Sequence, residues 1–142
     1  QNGWNESSRR YITEHPVFYV PTWEEWREKP ENNKQGSGGA VEKDTGVIAK
    51  QLMQKHVEKS MELYVEAMAR GIAPEQARLF LPAYAMYVRW RWTASLNAIL
   101  SFLELRQGET AQDEITKYAN AVAEFVQGQY PITMEAWNAR RR

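Results

Sequence analysis

Residues 87–106 read YVRWRWTASLNAILSFLELR, and a change of period inside this stretch decides the fold. From Tyr87 to Trp92 the pattern alternates, with Tyr87, Arg89 and Arg91 on one side and Val88, Trp90 and Trp92 on the other. Alternation with β-branched and aromatic residues predicts a half-buried strand. Past Thr93 the period lengthens. Leu96, Ile99, Leu100 and Leu103 recur at i, i+3, i+4 and i+7, one face of a helix. Thr93 and Ser95 are candidate N-caps, since a hydroxyl there can accept from an otherwise unpartnered backbone N–H. Asn97, Ser101 and Glu104 fall on another face, which therefore carries amide, hydroxyl and carboxylate groups. Arg106 suits the negative end of the helix dipole and Gly108 is a stop signal. A strand feeding directly into a helix with a polar face is a common place to hold a ligand; by pattern alone a solvated surface is the favoured reading of that face.

Outward from this stretch the chain is mostly helical. Ala49, Met53, Val57, Met61, Tyr64 and Met68 form an apolar stripe on a long helix from Thr45 to Arg70, with Gly71 as its stop. Ala73-Pro74-Glu75 starts a short helix that must end near Leu81, before Pro82. Thr110 and Asp113 have capping-box spacing ahead of a second amphipathic helix marked by Ile115, Tyr118, Ala119, Val122, Phe125 and Val126 and stopped at Gly128. Pro131 breaks the chain, and Thr133 caps a last short helix through Trp137. Upstream, Val17 to Val20 predicts a short strand, and Thr22 a capped helical turn with Trp23 to Trp26. Residues 30–40, PENNKQGSGGA, predict a flexible loop, a linker or a mobile lid. The expected class is α+β, mostly helix with a small antiparallel sheet near Phe18 and Tyr87–Trp92. The Val47–Arg70 and Ile115–Val126 helices are expected to pack together.

The totals bound function more than they define it. The 142 residues suffice for one domain with a real core. Eighteen basic and eighteen acidic side chains cancel, which gives no global argument for nucleic acid or acidic membranes. There is no Cys, and the two histidines, His15 and His56, have no metal spacing, so no metal site is expected. The absence of Cys fits a reducing cytoplasm. No apolar run approaches the ~20 residues of a membrane-spanning helix. Six Trp and seven Tyr suit cores and interfaces.

The chain begins inside a dense polar motif. Asn5, Glu6, Ser7, Ser8, Arg9 and Arg10 set hydroxyls beside guanidinium groups, a good grip for phosphate or carboxylate, although an exposed terminal segment has the same composition. Asn5-Glu6-Ser7-Ser8-Arg9-Arg10-Tyr11 resembles the second half of the signature of flavin-dependent thymidylate synthases (ThyX), Asn-Glu-x-Ser-x-Arg-Tyr. Four further blocks follow in family order. Ala77-Arg78-Leu79-Phe80-Leu81-Pro82 is similar to Ala-Arg-x-x-Leu-Pro, and Trp92-Thr93 with Phe102 to Arg106 to Trp-Thr…Phe-Leu-x-Leu-Arg. Ala111 to Ile115 is similar to Ala-Gln-x-Glu-Ile, and Pro131 to Trp137 to the closing Pro-x-Thr-x-Glu-Ala-aromatic. Gly3 stands where the signature has Ser, and Thr110 replaces a frequent His. The signature's Arg-His-Arg would fall just before Gln1, so the chain is expected to be the C-terminal two-thirds or so of a protomer, truncated at its N-terminus.

The resemblance implies conversion of dUMP to dTMP. Methylenetetrahydrofolate would supply the one-carbon unit and reduced FAD the hydride, with NADPH as reductant, in a homotetramer with shared sites. By position, Glu6, Ser8, Arg9, Arg10, Arg78 and Arg106 would contact dUMP. Ser8 and Arg10 would take its phosphate, Arg9 would contribute through its backbone, and Arg106 would sit by the uracil ring as the catalytic arginine. Asn5, Glu6, Ser95, Asn97 and Ser101 would face FAD. Two other readings remain open from the residues: a noncatalytic nucleotide- or flavin-binding module, and a helical interaction protein whose Trp residues anchor partners.

Overall fold

A computed structural model of the chain describes residues 3–8, 14–30, 37–108 and 111–140. In order, its elements are strand β1 (Gly3–Glu6), a 3-10 turn (Trp23–Glu25), helix α1 (Lys43–Ala69) and helix α2 (Pro74–Ala77). A 3-10 turn (Arg78–Phe80), strand β2 (Trp90–Thr93) and helices α3 (Leu96–Arg106), α4 (Asp113–Gln129) and α5 (Pro131–Ala139) complete it. This is the expected α+β, mostly helical architecture with a two-stranded antiparallel sheet. By its internal contacts the chain divides into two units, one of residues 1–3, 29–38 and 92–142, the other of 4–28 and 39–91.

The first unit is the helical cluster α3–α4–α5. Leu103, Ala119, Val126 and Met134 form its buried core, and Leu96, Ile99, Leu100, Phe102, Val122, Ala123 and Trp137 close around it. The α3 stripe predicted from sequence is thus the one that packs. In α4 the stripe is narrower than predicted: Ala119 and Val126 go inside, whereas Tyr118 and Phe125 stay exposed, Phe125 at 77%. The ends of α4 also differ from expectation. Its N-cap is Gln112, which makes Asp113 the first helical residue rather than the third, so Asp113 cannot complete the expected capping box. Gly128 does not stop the helix; it runs on to Gln129, and Tyr130 caps both α4 and α5. Pro131 begins α5 instead of breaking the chain before a Thr133 cap, because a proline at the first helical position gives up only an N–H that would have no helical partner. Thr110 lies outside the described residues.

The second unit is built on α1. Gly46, Ser60 and Ala67 are its buried residues, with Met53, Val57, Met61 and Tyr64 half-buried along the same face. The predicted stripe is therefore correct except at its end, where Ala67 goes inside and Met68 stays out. Gly71 ends the helix with φ of 79°. Its N–H donates to Met68 O and the Ile72 N–H to Ala67 O, both at 3.0 Å, which is the Schellman closure. Gly46 has a separate reason to be glycine: a Cβ there would stand 2.2 Å from the Trp23 carbonyl oxygen. The backbone of the Trp23–Glu25 turn lies directly on α1 at that point. The turn is pinned by the Thr22 N–H donating to the Glu25 carboxylate at 2.9 Å.

The packing partners of α1 are the Trp23–Glu25 turn, α2 and the Arg78–Phe80 turn; those of α4 are α3 and α5. The expected pairing of α1 with α4 would join the two units, each of which is described by itself. Of the loop expected over residues 30–40, residues 31–36 lie outside the described residues. Its stem is a short hairpin ladder: Glu28 N–H donates to Gly39 O and Val41 N–H to Trp26 O, around an antiparallel Arg27–Ala40 bridge. Among the described residues no helix is long and apolar enough to cross a membrane.

Candidate functional site

Asn5 and Glu6, the first residues of the polar motif, end strand β1, although the sequence there reads as an irregular cluster. Asn, Glu and Ser are poor strand formers, so the local signal is weak, and the pairing partner lies more than eighty residues away. Ser7 N–H donates to Arg89 O at 2.8 Å. A Cβ built on Gly3 would lie 4.0 Å from that of Thr93. Residue 7 beside 89 and residue 3 beside 93 define an antiparallel register in which Asn5 is opposite Arg91. Since side chains alternate along a strand, Asn5, Ser7, Arg89 and Arg91 share one face. Trp4, Glu6 and Trp90 share the other, where the Trp4 and Trp90 rings meet with centroids 4.5 Å apart.

The alternation read from 87–92 is thus real, but of the side expected to be covered only Trp92 is partly buried, its ring against Phe102 with centroids 5.3 Å apart. Tyr87, Val88 and Trp90 are about half exposed, and Trp4 is 62% exposed. The expected strand is also shorter. It splits into β2 and a separate pairing in which Tyr19 N–H donates to Ala85 O and Tyr87 N–H to Val17 O around a Phe18–Met86 bridge. Val17–Val20 is consequently one bridge and not a full strand.

The expected dUMP and FAD residues divide between the units. Asn5, Glu6, Ser8 and Arg78 belong to one; Ser95, Asn97, Ser101 and Arg106 belong to the other. Arg9 and Arg10 lie outside the described residues. Asn5 and Glu6 sit on opposite faces of β1. Arg78 is exposed in the 3-10 turn after α2, its Nε donating to Glu75 O at 3.3 Å. Arg106 is the last residue of α3 and exposed, and its carbonyl accepts from Thr116 Oγ1 at 3.1 Å. Ser95 is the N-cap of α3, as predicted, its Oγ accepting from Ala98 N–H at 3.2 Å. Ser101 Oγ donates to Asn97 O at 3.0 Å.

This bears on flavin binding. Ser95 keeps its hydroxyl hydrogen to donate, Ser101 keeps lone pairs to accept, and the Asn97 amide can do both. The exposed side chains of Ser95, Asn97 and Ser101 along α3 thus offer both donors and acceptors, the chemistry that a flavin's polar edge requires. Among the described residues no three His, Cys, Asp or Glu gather as metal ligands.

The sequence profile described as Thymidylate synthase complementing protein matches residues 3–132, and the chain belongs to that family. It is 34% identical over 133 residues to a flavin-dependent thymidylate synthase of Kosmotoga olearia, covering 94% of this chain and 56% of the relative. To a Thermus thermophilus protein of the same name it is 36% identical over 135 residues, covering 95% of this chain and 47% of the relative. Among solved structures, a UMP/dUMP methylase PolB from Streptomyces cacaoi bound with 5-Br UMP superposes with a TM-score of 0.84 at 27% identity. That match covers 97% of this chain and 64% of the methylase. The chain spans about half the length of the relatives it matches.

Proposed function

We propose that the complete protein is a flavin-dependent thymidylate synthase. It converts dUMP to dTMP in the cytoplasm, with methylenetetrahydrofolate as one-carbon donor, reduced FAD as hydride donor and NADPH as reductant. The observation that carries this reading is the match to the family over residues 3–132, within which Asn5 and Glu6 end β1 and Arg106 ends α3. The relatives named above carry that activity in their names, and the neighbouring methylase was crystallised with a brominated UMP.

In this reading Ser8 and Arg10 grip the dUMP phosphate through charge-assisted hydrogen bonds, with the Arg9 backbone and Arg78 completing the nucleotide contacts. Glu6, exposed on β1, orients the nucleotide beside the cofactor. Arg106 stands by the uracil ring, where its fixed charge stabilises negative charge developing on the pyrimidine. Asn5, Ser95, Asn97 and Ser101 hold FAD, which when bound supplies the hydride. Such a cofactor explains how a chain without Cys can methylate a pyrimidine. Exposed apolar side chains, among them Ile48 and Leu52 on α1 and Tyr118 and Phe125 on α4, support assembly as a homotetramer with shared sites.

The test is a coupled assay on the purified complete protein. The reading predicts bound flavin, NADPH oxidation that responds to dUMP, and dTMP as product. Binding of dUMP and flavin without turnover would make it a nucleotide- and flavin-binding module instead. Neither flavin nor dUMP binding would reject both.

A further inference from the structure

Helix α3 ends on Arg106, and α4 holds that end at two points. The last carbonyls of a helix have no donor within it, so helix ends fray. Here Gln107 N–H donates to Leu103 O at 2.9 Å, and Arg106 O accepts from Thr116 Oγ1 of α4 at 3.1 Å. The same hydroxyl lies 3.0 Å from Gln112 O, which already accepts the Thr116 N–H at 3.0 Å. A hydroxyl has a single hydrogen to give, and it counts for most at Arg106 O, which has no other donor among the described residues. One turn further along α4, Asn120 Oδ1 accepts from Gln107 Nε2 at 2.9 Å. Thr116 and Asn120, four residues apart, share a face of that helix. Leu103 and Ala119, both in the buried core, join the same stretches of α3 and α4. The backbone of Arg106 and the side chain of its successor are thus tied to α4. The Arg106 guanidinium, by contrast, is exposed and has no ion pair or hydrogen bond with another described residue. Its N–H donors are uncommitted, and their aim depends on where the backbone of Arg106 is held.

We propose that Thr116, Gln107 and Asn120 are positioning residues, which hold the end of α3 so that the Arg106 guanidinium meets the pyrimidine of dUMP. The proposal rests on the thymidylate synthase reading of Arg106 and goes past it, since none of the three lies in the sequence blocks that carry the family resemblance. An arginine aimed by a carboxylate must break that pair before it takes a ligand. One aimed through its backbone keeps every donor for the ligand. A long side chain on a frayed turn loses backbone and rotamer freedom together when it binds; on a turn already fixed it loses only the second. Order at the helix end therefore appears as affinity at the guanidinium, although no atom of Thr116, Gln107 or Asn120 needs to touch the nucleotide.

The experiment titrates dUMP calorimetrically into the complete protein and into Thr116→Val, Thr116→Ser and Asn120→Ala, each with Arg106 present and with Arg106→Ala, and measures unfolding midpoints beside them. Thr116→Val keeps the shape and the β-branch and removes the hydroxyl; Thr116→Ser keeps the hydroxyl. Thr116→Val and Asn120→Ala are each expected to weaken dUMP about three- to tenfold, the size of one hydrogen bond, with Thr116→Ser within about twofold of the unsubstituted protein. With Arg106→Ala already in place, neither should weaken dUMP further, because the group they aim is gone. Gln107→Ala removes the Asn120 bond from the α3 side and should match Asn120→Ala, which keeps the test alive if either variant fails to fold. Equal losses with and without Arg106, a loss in Thr116→Ser as large as in Thr116→Val, or undiminished affinity in Thr116→Val and Asn120→Ala overturns the proposal. Undiminished dUMP affinity in Arg106→Ala alone is a distinguishable result: it removes Arg106 from the nucleotide site and overturns the reading on which the proposal rests.

Discussion

The α3–α4–α5 cluster and the β1–β2 sheet are built on opposite plans. In the cluster, aliphatic side chains at helical spacing close on Leu103, which is fully buried. In the sheet every residue of β1 is exposed, and Trp4 and Trp90 meet each other with much of their surface still open to solvent. A strand pair of this size is not stable alone and is held by what flanks it, as where the Trp92 ring meets Phe102 of α3 with centroids 5.3 Å apart. The lesson is that the cluster buries a core of its own, whereas the sheet leaves its aromatic side chains largely open.

That contrast can be broken by substitution. The largest expected effect is Leu103→Ala, which should cost about 3–4 kcal/mol in chemical denaturation, because the cavity opens between three helices. A loss under about 1 kcal/mol would mean that the cluster is not a packed core. Next comes Gly46→Ala. The added methyl would overlap the Trp23 carbonyl, so destabilisation of about 2 kcal/mol is expected although alanine favours helix more than glycine does. Ser95→Ala removes the cap of α3 and should cost about 1 kcal/mol. Trp90→Ala should be mildest, about 0.5 kcal/mol, since it deletes one exposed aromatic contact. Were Trp90→Ala to cost as much as Leu103→Ala, the two regions would not differ in kind.

The same contrast sets what the sequence made legible. Periodicity found α1 and α3 and most of their buried faces, because a helix's apolar stripe is written in neighbouring residues. The hydroxyl at Ser95 and the glycine at Gly71 marked ends correctly, since caps are local chemistry. Periodicity failed where partners are distant. Nothing near Gly3–Glu6 announces a strand whose mate is Trp90–Thr93, and nothing in KDTG announces that Gly46 receives a backbone carbonyl from Trp23. It also overestimated burial at Tyr118, Phe125 and Trp90: the pattern marks which side chains avoid water, but not whether this chain or another molecule covers them. The residues proposed for the site, Asn5, Glu6, Ser8, Arg78 and Arg106 among them, were chosen by motif. The pairing that sets Asn5 across from Arg91 was not legible, because register is decided between strands.

The most direct test of the account is calorimetric titration of dUMP into the complete protein and its Arg106→Ala variant, with unfolding midpoints measured beside it. Arg106 is exposed at the end of α3, so its removal should leave the midpoint nearly unchanged while weakening dUMP binding roughly 10- to 100-fold. Unaltered dUMP affinity in a folded Arg106→Ala variant would contradict the claim that the end of α3 meets the nucleotide.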